Sequence, residues 1–297
     1  MMSLTKVVLV GASGNIGAGV LPLLLKSGLD PTILSREGSS ATFPQEAKVI
    51  KSDFSEESLV QALKGQDAVV SMLPIIALGE QTKVAEAAVK AGVKRFIPSE
   101  YGSDSSSEDV IAAVPFFAPK KAQLDWLKTQ EDRISWTGII TGPFFDWGLK
   151  QGMMGFDLLN KTATLVDGGN TRFTTSNVSQ IARAIISVLE HPAETKNQLV
   201  FVESFTTTQA EVLAALQKAT GQDWKVREES SKDVRLQGFK KVGEGDIMGG
   251  GALVITALVL GREGLEDHTS VKGGIWNKRL GLEAESVEET VRAVLEQ

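Results

Sequence analysis

Cysteine is absent from this 297-residue chain, and histidine and tyrosine are rare. Without cysteine, the chain cannot form a disulfide, a thiolate nucleophile or a zinc site with sulfur ligands. The two histidines, His191 and His268, are far apart in the sequence, which makes a histidine-based metal site or catalytic triad hard to build. We therefore predict no metal site and treat both histidines as structural or exposed.

Positive charge and long apolar runs are also limited. The 31 Lys and Arg residues face 37 Asp and Glu residues, and the formal net charge of -6 argues against nucleic-acid binding, because phosphate requires a basic surface. The N-terminus lacks the apolar core of a signal peptide. The longest apolar stretch, 247–260, is about five residues too short to cross a bilayer. We expect a soluble, cytoplasmic protein without a nucleic-acid or membrane partner.

The first half of the chain alternates strand and helix signals. Short runs rich in β-branched residues predict strands, and the amphipathic segments between them predict helices. The predicted strands are 6–10, 32–34, 48–51, 68–71, 95–97 and 136–141, and the predicted helices are 16–26, one capped by Ser55 that ends before Gly65, 80–91 and 120–130. This order predicts an α/β fold with a doubly wound parallel Rossmann sheet.

The second half has a less regular pattern, with many glycines and two clear helices at 178–189 and 209–219. We place a domain boundary near Trp147, which gives a first domain of residues 1–147 and a second of residues 148–297. A later strand at 198–202, within the segment 174–203, would rejoin the first sheet.

Three glycines connect the first predicted strand to the first predicted helix. Gly11, Gly14 and Gly17 form the pattern GxxGxxG. Residues without a Cβ let the backbone approach a pyrophosphate, and the helix N-terminus offers free N–H groups to that anion. A plain tight turn is the alternative, but the position between a strand and a helix favours dinucleotide binding.

Polar residues lie at the end of the second predicted strand and just after the third. Ser35 and Arg36 end the second strand, where an NAD-preferring site usually has a carboxylate, and a guanidinium beside a hydroxyl suits a 2′-phosphate. The alternative is a solvated loop cation. Asp53 follows the third strand and would accept a hydrogen bond from the adenine amino group; a turn or capping role is equally plausible.

The tyrosine–lysine pair of the common short-chain dehydrogenases is missing. The single tyrosine is Tyr101, and the position four residues later is Ser105. Any hydride-transfer enzyme on this scaffold therefore needs another proton donor. The absence also argues against nucleotide-sugar epimerases and dehydratases.

Four segments resemble the NmrA-like and isoflavone-reductase-like group of atypical short-chain dehydrogenases, particularly its fungal members. They are GASGNIG, VKRFIPSEYG at 93–102, PKKAQLDWL at 119–127 and IARAIISVLEHP at 181–192. The resemblance covers about Val7 to Val202. It implies an NADP(H)-binding Rossmann domain, a smaller C-terminal α/β substrate domain and reduction of small aromatic or phenylpropanoid-like molecules.

The resemblance also implies a catalytic lysine, which maps best on Lys121, with Lys120 as the fallback. Buried near the oxidised nicotinamide, such a lysine would protonate or polarise a substrate oxygen. The alternative is a surface lysine. The cofactor-binding residues that the glycine loop and the resemblance indicate are Gly11, Ser13, Gly14, Asn15, Ile16, Gly17, Arg36, Asp53, Ser71, Met72, Leu73, Ser99, Glu100, Lys121, Pro143 and Phe144.

The chain departs from the plant reductases of this group at two charged positions. Asp125 stands where they carry an arginine, and Gln45 where they carry a second cation for the 2′-phosphate, so fewer charges are expected around the 2′-phosphate.

Four apolar residues follow the sixth predicted strand: Trp147, Met153, Met154 and Phe156. They would form an apolar lid over the substrate, or alternatively belong to the core of the second domain.

The alternative function is a non-enzymatic NADP(H) sensor that binds a partner protein. The lysine favours the enzyme, because a sensor needs no proton donor.

Overall fold

The computed structural model describes residues 4–296, and within them the central sheet has seven parallel strands. The strands in chain order are β1 (Lys6–Val10), β2 (Asp30–Arg36), β3 (Lys48–Ser52), β4 (Ala68–Ser71), β5 (Arg95–Ile97), β6 (Ser135–Ile140), β7 (Phe156–Asp157), β8 (Thr162–Val166), β9 (Phe173–Thr175), β10 (Gln198–Phe201), β11 (Phe205–Thr207) and β12 (Lys225–Glu229). The helices are α1 (Asn15–Lys26), α2 (Glu56–Leu63), α3 (Leu78–Ala91), α4 (Glu108–Ala113), α5 (Ala118–Lys128), α6 (Phe145–Lys150), α7 (Val178–Glu190), α8 (Gln209–Thr220), α9 (Ser231–Gly243), α10 (Ile247–Leu260) and α11 (Val287–Leu295).

The central sheet has the order β10-β6-β5-β4-β1-β2-β3. The chain first runs outward from β1 to β3 and then returns to the other side of β1 with β4. The loops at the carboxyl ends of β1 and β4 therefore diverge, which leaves a crevice where ligands of such sheets bind. The predicted fold class is confirmed.

Helices cover both faces of this sheet. Val7 and Leu9 of β1 pack into one apolar core with α1 and α7, whereas Val8 and Val10 pack into a second core with α2, α3 and α5. Successive side chains of a strand point to opposite faces, so this apolar run is buried on both sides, as in a central parallel strand.

The second half contributes both to this sheet and to a separate apolar core. β10 pairs in parallel with β6, and α7 packs against α1. The remaining strands form two small sheets, β12-β8-β7 and β11-β9, which pack with α8, α10 and α11. The division at residue 147 stays a prediction, and its ranges include residues 1–3 and 297, which lie outside the described residues.

Several element bounds differ from those expected from the sequence. β2 extends from Asp30 to Arg36, because parallel pairing with β1 holds residues on both sides of the short predicted run. α5 begins at Ala118 rather than at residue 120, with Pro119 in its first turn, where a missing N–H costs nothing. Between residues 4 and 296, no helix is both long enough and apolar enough to cross a membrane.

Candidate active site

A pocket of about 450 Å³ opens at the carboxyl edge of the central sheet. Its walls come from the loops after β1, β4, β5 and β6, from the start of α5, and from α6 and α10. The pocket therefore occupies the crevice that the strand order creates. It contains the predicted residues Gly14, Asn15, Ile16, Met72, Leu73, Ser99, Pro143 and Phe144.

The glycine loop leaves the N-terminus of α1 without a side-chain cap. Gly14 is the N-cap residue, no side-chain capping hydrogen bond forms there within residues 4–296, and the first turn has no acidic residue. The unpaired N–H groups of a first turn and the helix dipole together favour an anion. This helix end is therefore suited to a phosphate group.

Glycine is required at the three positions of the loop for different structural reasons. A Cβ on Gly11, which has a φ of +84°, would lie 2.7 Å from the Met72 carbonyl oxygen, and a Cβ on Gly17 would lie 2.3 Å from the Gly11 oxygen. At Gly11 and Gly17, the neighbouring protein backbone leaves no room for a side chain. At Gly14, which lines the pocket, the nearest atom to a Cβ is the Gly11 oxygen at 3.2 Å. Gly14 therefore keeps space open chiefly on the pocket side.

Two cations lie at the ends of β2 and β3. The guanidinium of Arg36 is exposed and lies 5.5 Å from the centre of the Phe54 ring. Lys51 is the parallel partner of Ser35, and its ammonium lies 3.3 Å from the Ser35 hydroxyl and 3.4 Å from the Arg36 carbonyl oxygen. Position 45, where a second cation was expected by resemblance, is a glutamine, but strand pairing brings Lys51 to the Arg36 end of β2.

Asp53 lies at the start of α2. Its Oδ1 accepts hydrogen bonds from the backbone N–H and the hydroxyl of Ser55, at 2.9 and 2.7 Å, and these bonds lower the pKa of the Asp53 carboxyl. Ser55 in turn caps α2. The turn role that the sequence left open is therefore present, and contact of Asp53 with adenine stays a prediction.

The two lysines at the start of α5 have opposite environments. Lys120 lines the pocket, and its ammonium donates a hydrogen bond of 2.5 Å to the Glu100 carbonyl oxygen. Lys121 lies outside the pocket lining and forms ion pairs with Glu108 at 3.4 Å and with Asp125 at 3.3 Å. The structure thus places Lys120, and not the preferred Lys121, where a proton donor would meet a ligand.

The periodicity of α5 explains why the two lysines have different surroundings, and which of them is catalytic stays a prediction. Lys120 shares a helix face with Leu124 and Leu127, which are buried against the sheet, because residues four and seven apart lie on one side of a helix. Lys121 instead shares its face with Asp125. The residues four positions after each lysine, Leu124 and Asp125, are the sequence signal that distinguishes the two faces.

The charge states of the two lysines follow from their surroundings. Burial lowers the pKa of Lys120, and the carboxyls of Glu100 and Glu266 act in the opposite direction. Hydrogen bonding to Asp125 raises the pKa of Lys121. Lys120 is therefore the lysine whose pKa moves toward the range useful for acid–base chemistry.

Two of the other predicted polar residues, Ser99 and Glu100, form hydrogen bonds within the loops of the site. The Ser99 hydroxyl donates to the Leu73 carbonyl oxygen at 2.7 Å. The Glu100 carboxyl is fully buried, accepts a hydrogen bond of 2.5 Å from Ser105 and has its pKa raised by burial. Ser71 is buried at the end of β4 and lies outside the pocket lining. Ser13 is exposed on the glycine loop and also lies outside that lining.

Tyr101 lies in the pocket wall but is unsuited to act as a base. Burial raises the pKa of its phenol, and the nearby Glu100 carboxyl raises it further. Its hydroxyl has no hydrogen-bond partner among the described residues. The phenol therefore stays protonated.

The outer wall of the pocket is apolar. Trp147, Met153 and Met154 of the predicted lid line it, whereas Phe156 packs in the core against Trp224 with ring centres 6.3 Å apart. The sequence did not anticipate the contribution of α10, whose pocket residues are Ile255, Thr256, Val259 and Leu260. An apolar pocket with a single ammonium group in its wall suits a flat aromatic ligand with an oxygen substituent.

Comparisons with known proteins agree with this geometry. The chain is 33% identical to "Oxidoreductase poxI" of Penicillium oxalicum over 96% of this chain and 92% of that protein. It is 31% identical to "Oxidoreductase aprR" of Aspergillus flavus over 98% of both chains. Among solved structures, "AtPrR2 with NADP+ and (+)pinoresinol" covers 99% of this chain and 100% of its own, with a TM-score of 0.83 and 21% identity.

A second solved structure has the same fold. The binary complex of leucoanthocyanidin reductase and NADPH from Vitis vinifera matches with a TM-score of 0.82 and 18% identity over 98% of this chain and 99% of that one. The model of the NmrA-like family matches residues 3–236. The resemblance found in the sequence is thereby confirmed, and the chain belongs to the NmrA-like family.

Proposed function

We propose that this protein is an NADPH-dependent reductase of a small aromatic or phenylpropanoid- or polyketide-like molecule, with Lys120 as its general acid. The observation that carries the proposal is the half-buried ammonium of Lys120 in the wall of an apolar pocket that Gly14 of the glycine loop also lines. The curated fungal relatives are named oxidoreductases, and the plant relatives include an isoflavone reductase homolog of Solanum tuberosum.

The residues at the sheet edge fit NADP(H). The uncapped N-terminus of α1 would hold the pyrophosphate, and Arg36 with Lys51 would hold the 2′-phosphate. The further residues proposed to contact the cofactor are Gly11, Ser13, Gly14, Asn15, Ile16, Gly17, Asp53, Ser71, Met72, Leu73, Ser99, Glu100, Pro143 and Phe144. When bound, this cofactor supplies a hydride for a C=C or C=O bond.

The protein supplies the proton and the orientation. The Lys120 ammonium donates its proton to the substrate oxygen on which negative charge develops. Its bond to the Glu100 carbonyl oxygen holds the amine in place. The apolar wall around Trp147 and α10 excludes water, which strengthens the interaction between the ammonium and the developing charge. Tyr101, with its raised pKa, has no acid–base role in this scheme.

The first expected result concerns cofactor choice. The wild type should bind NADPH more tightly than NADH by about 1.5–3 kcal/mol, because hydrogen bonds to a charged phosphate are in this range. Arg36→Ala and Lys51→Ala should each narrow the difference, and the double variant should abolish it. Titration of both cofactors by protein fluorescence measures the two dissociation constants.

Lys48→Ala is the matched control, because Lys48 is an exposed lysine of the same strand that pairs with Asp30. It should leave the preference unchanged. Equal dissociation constants for NADPH and NADH in the wild type would overturn this assignment of the 2′-phosphate site.

The second expected result concerns the aromatic pocket. Trp147→Ala should raise KM for an aromatic substrate on the order of 30-fold with little change in kcat, because an aromatic anchor in a binding site contributes about 2 kcal/mol to binding in both ground and transition states. Leu159→Ala, at an exposed apolar residue outside the pocket, should change neither constant. An unchanged KM in the Trp147 variant would show that the ligand binds elsewhere.

A further inference from the structure

Two helices of the C-terminal half form a hairpin that supplies one wall of the pocket. They are α9 and α10, and we call residues 231–260 the α9–α10 hairpin. The residues of this hairpin that line the pocket all belong to α10 and are Ile255, Thr256, Val259 and Leu260. The position of the hairpin therefore decides how much room a ligand has.

The two helices pack so closely that they have to move together. A Cβ on Gly238 of α9 would lie 2.7 Å from the Val254 side chain and 2.8 Å from the Gly250 carbonyl oxygen of α10. A Cβ on Gly250 would lie 2.5 Å from the Gly238 carbonyl oxygen. Because the backbones touch at these two glycines, a displacement of either end of the hairpin also displaces the pocket wall.

Both ends of the hairpin meet at one carboxylate. The Oδ1 atom of Asp167 accepts a hydrogen bond of 3.0 Å from the backbone N–H of Ser231, the first residue of α9. Its Oδ2 atom accepts one of 3.1 Å from the backbone N–H of Arg262, two residues after the end of α10. The Arg262 guanidinium also lies 3.3 Å from Oδ1. A single side chain thus holds the beginning and the end of the hairpin.

The surroundings of Asp167 suit a fixed contact rather than a mobile surface ion pair. Its side chain is 2% exposed, and its backbone has a φ of +49°, a left-handed conformation that aspartate adopts more readily than most residues. Burial opposes the charge of this carboxyl, but hydrogen bonds from Ser231 and Arg262 outweigh it and lower the pKa of Asp167. The hydrogen bonds to this carboxylate are therefore of the stronger, charge-assisted kind.

The strand before Asp167 also connects to a second part of the pocket wall. The Gln209 side chain is buried, and its Oε1 atom accepts a hydrogen bond of 2.7 Å from the Val166 N–H at the end of β8. The Nε2 atom of Gln209 donates one of 2.8 Å to the carbonyl oxygen of Met154, which lines the pocket. The end of β8 is thus tied to Met154 through Gln209 and to α10 through Asp167.

We propose that Asp167 is a positioning residue for the substrate, which docks the α9–α10 hairpin onto the end of β8 and thereby limits the length of the aromatic ligand that the pocket accepts. This role rests on the aromatic-substrate function proposed above and assigns part of its selectivity to a residue outside the pocket. The pocket of about 450 Å³ has to hold both the reacting end of the cofactor and the substrate. A small shift of the α10 wall therefore changes the space left for the substrate.

Docking of the hairpin can be measured without any ligand. In the full-length protein, hydrogen–deuterium exchange across residues 255–262 should be about 10- to 100-fold faster in Asp167→Gly than in the wild type, because losing charge-assisted hydrogen bonds favours local opening by about this factor. Exchange in α7, Val178–Glu190, should stay as in the wild type. Glycine is the replacement because it adopts the left-handed conformation without strain.

Two further variants are the controls for this measurement. Lys161→Gly changes the residue that precedes β8, which also has a φ of +49°, but its side chain bonds to Gln222 instead of the hairpin. It should leave exchange across residues 255–262 unchanged. Arg262→Ala removes an exposed guanidinium and keeps the backbone N–H bond to Asp167, so it should have a smaller effect than Asp167→Gly.

The second measurement compares two aromatic probes of different length, naphthol and hydroxystilbene, in the presence of saturating NADP+. Quenching of tryptophan fluorescence gives both dissociation constants, since Trp147 lines the pocket. In Asp167→Gly, the ratio of the hydroxystilbene constant to the naphthol constant should fall on the order of tenfold, because the released wall admits the longer ligand and holds the shorter one less tightly. Lys161→Gly should keep the wild-type ratio, and both variants should bind NADP+ normally.

The conservative variant Asp167→Asn should give intermediate values in both measurements. Asparagine also tolerates the left-handed conformation, but it has one acceptor oxygen and so can keep only one of the two backbone hydrogen bonds. It replaces Asp167→Gly if the glycine variant does not fold.

The outcomes separate this role from the reductase function. Unchanged exchange across residues 255–262, or an equal acceleration in Val178–Glu190, overturns local docking by Asp167. A wild-type ratio of dissociation constants in Asp167→Gly overturns the control of ligand length. If the wild type binds neither probe, the aromatic pocket of the reductase is contradicted and the selective role falls with it, whereas faster exchange in Asp167→Gly would still support docking of the hairpin.

Discussion

Lys120→Met should lower turnover on the order of 10²-fold or more while NADPH affinity stays nearly unchanged. General acid–base groups contribute about this share of catalysis, and the methionine keeps the length and apolar stem of the lysine without its proton. The wild-type profile should also lose activity at high pH, because only the protonated amine donates. Burial lowers the pKa of Lys120, so the loss should begin below pH 10.5, the ordinary value for lysine.

Lys121→Met is the matched control for this result. Lys121 is the next residue of the same helix, but its ammonium pairs with Glu108 and Asp125 outside the pocket. Its loss should change turnover less than about fivefold, because the Lys121 ammonium lies outside the pocket and exposed ion pairs contribute less than about 1 kcal/mol to stability. A large loss in Lys121→Met with none in Lys120→Met would restore the motif-based assignment. Full activity in both variants would mean that water delivers the proton.

Gly14→Val should weaken NADPH binding by about 10- to 100-fold and leave the fold intact. The backbone of Gly14 is extended, with a φ of -79°, and a Cβ there lies 3.2 Å from the Gly11 carbonyl oxygen, so a valine requires only a small shift of the loop. Its branched side chain occupies the space kept for the cofactor. Crowding a packed site by such a group costs about 1–3 kcal/mol. Calorimetric titration with NADPH measures the loss, and circular dichroism checks the fold.

Two other glycines give this experiment its controls. Gly28→Val should bind NADPH normally, because a Cβ at Gly28 has no neighbour within 4 Å. Gly17→Val should instead destabilise the protein, since its Cβ would lie 2.3 Å from the Gly11 carbonyl oxygen. If Gly14→Val kept full NADPH affinity, the loop would be only a turn.

The parallel sheet and the glycine loop were predictable because they depend on local patterns. Apolar runs such as Val7 to Val10 and the spacing of three glycines are properties of contiguous residues. The position of Lys120 was also encoded locally, in the apolar partners four and seven residues ahead. A lysine assigned only by its match to a sequence motif does not reflect this helical periodicity.

Other parts of the site depend on tertiary contacts and left no local signal. The segment 247–260 has no signal in the sequence beyond its apolar run, yet as α10 it forms one wall of the pocket. Lys51 reaches the Arg36 edge only because β3 pairs with β2 in one register.

The most direct test of the proposed reductase is hydride transfer itself. NADPH deuterated at the transferable position of the nicotinamide should be incubated with wild type and Lys120→Met, together with a panel of quinones, enones and aryl ketones. Mass spectrometry of the products should find one deuterium on carbon in the wild-type reaction and, at equal times, on the order of 10²-fold less labelled product with the variant. Tight NADPH binding without any labelled product across the panel would contradict the reductase and support the alternative, a non-enzymatic NADP(H) sensor.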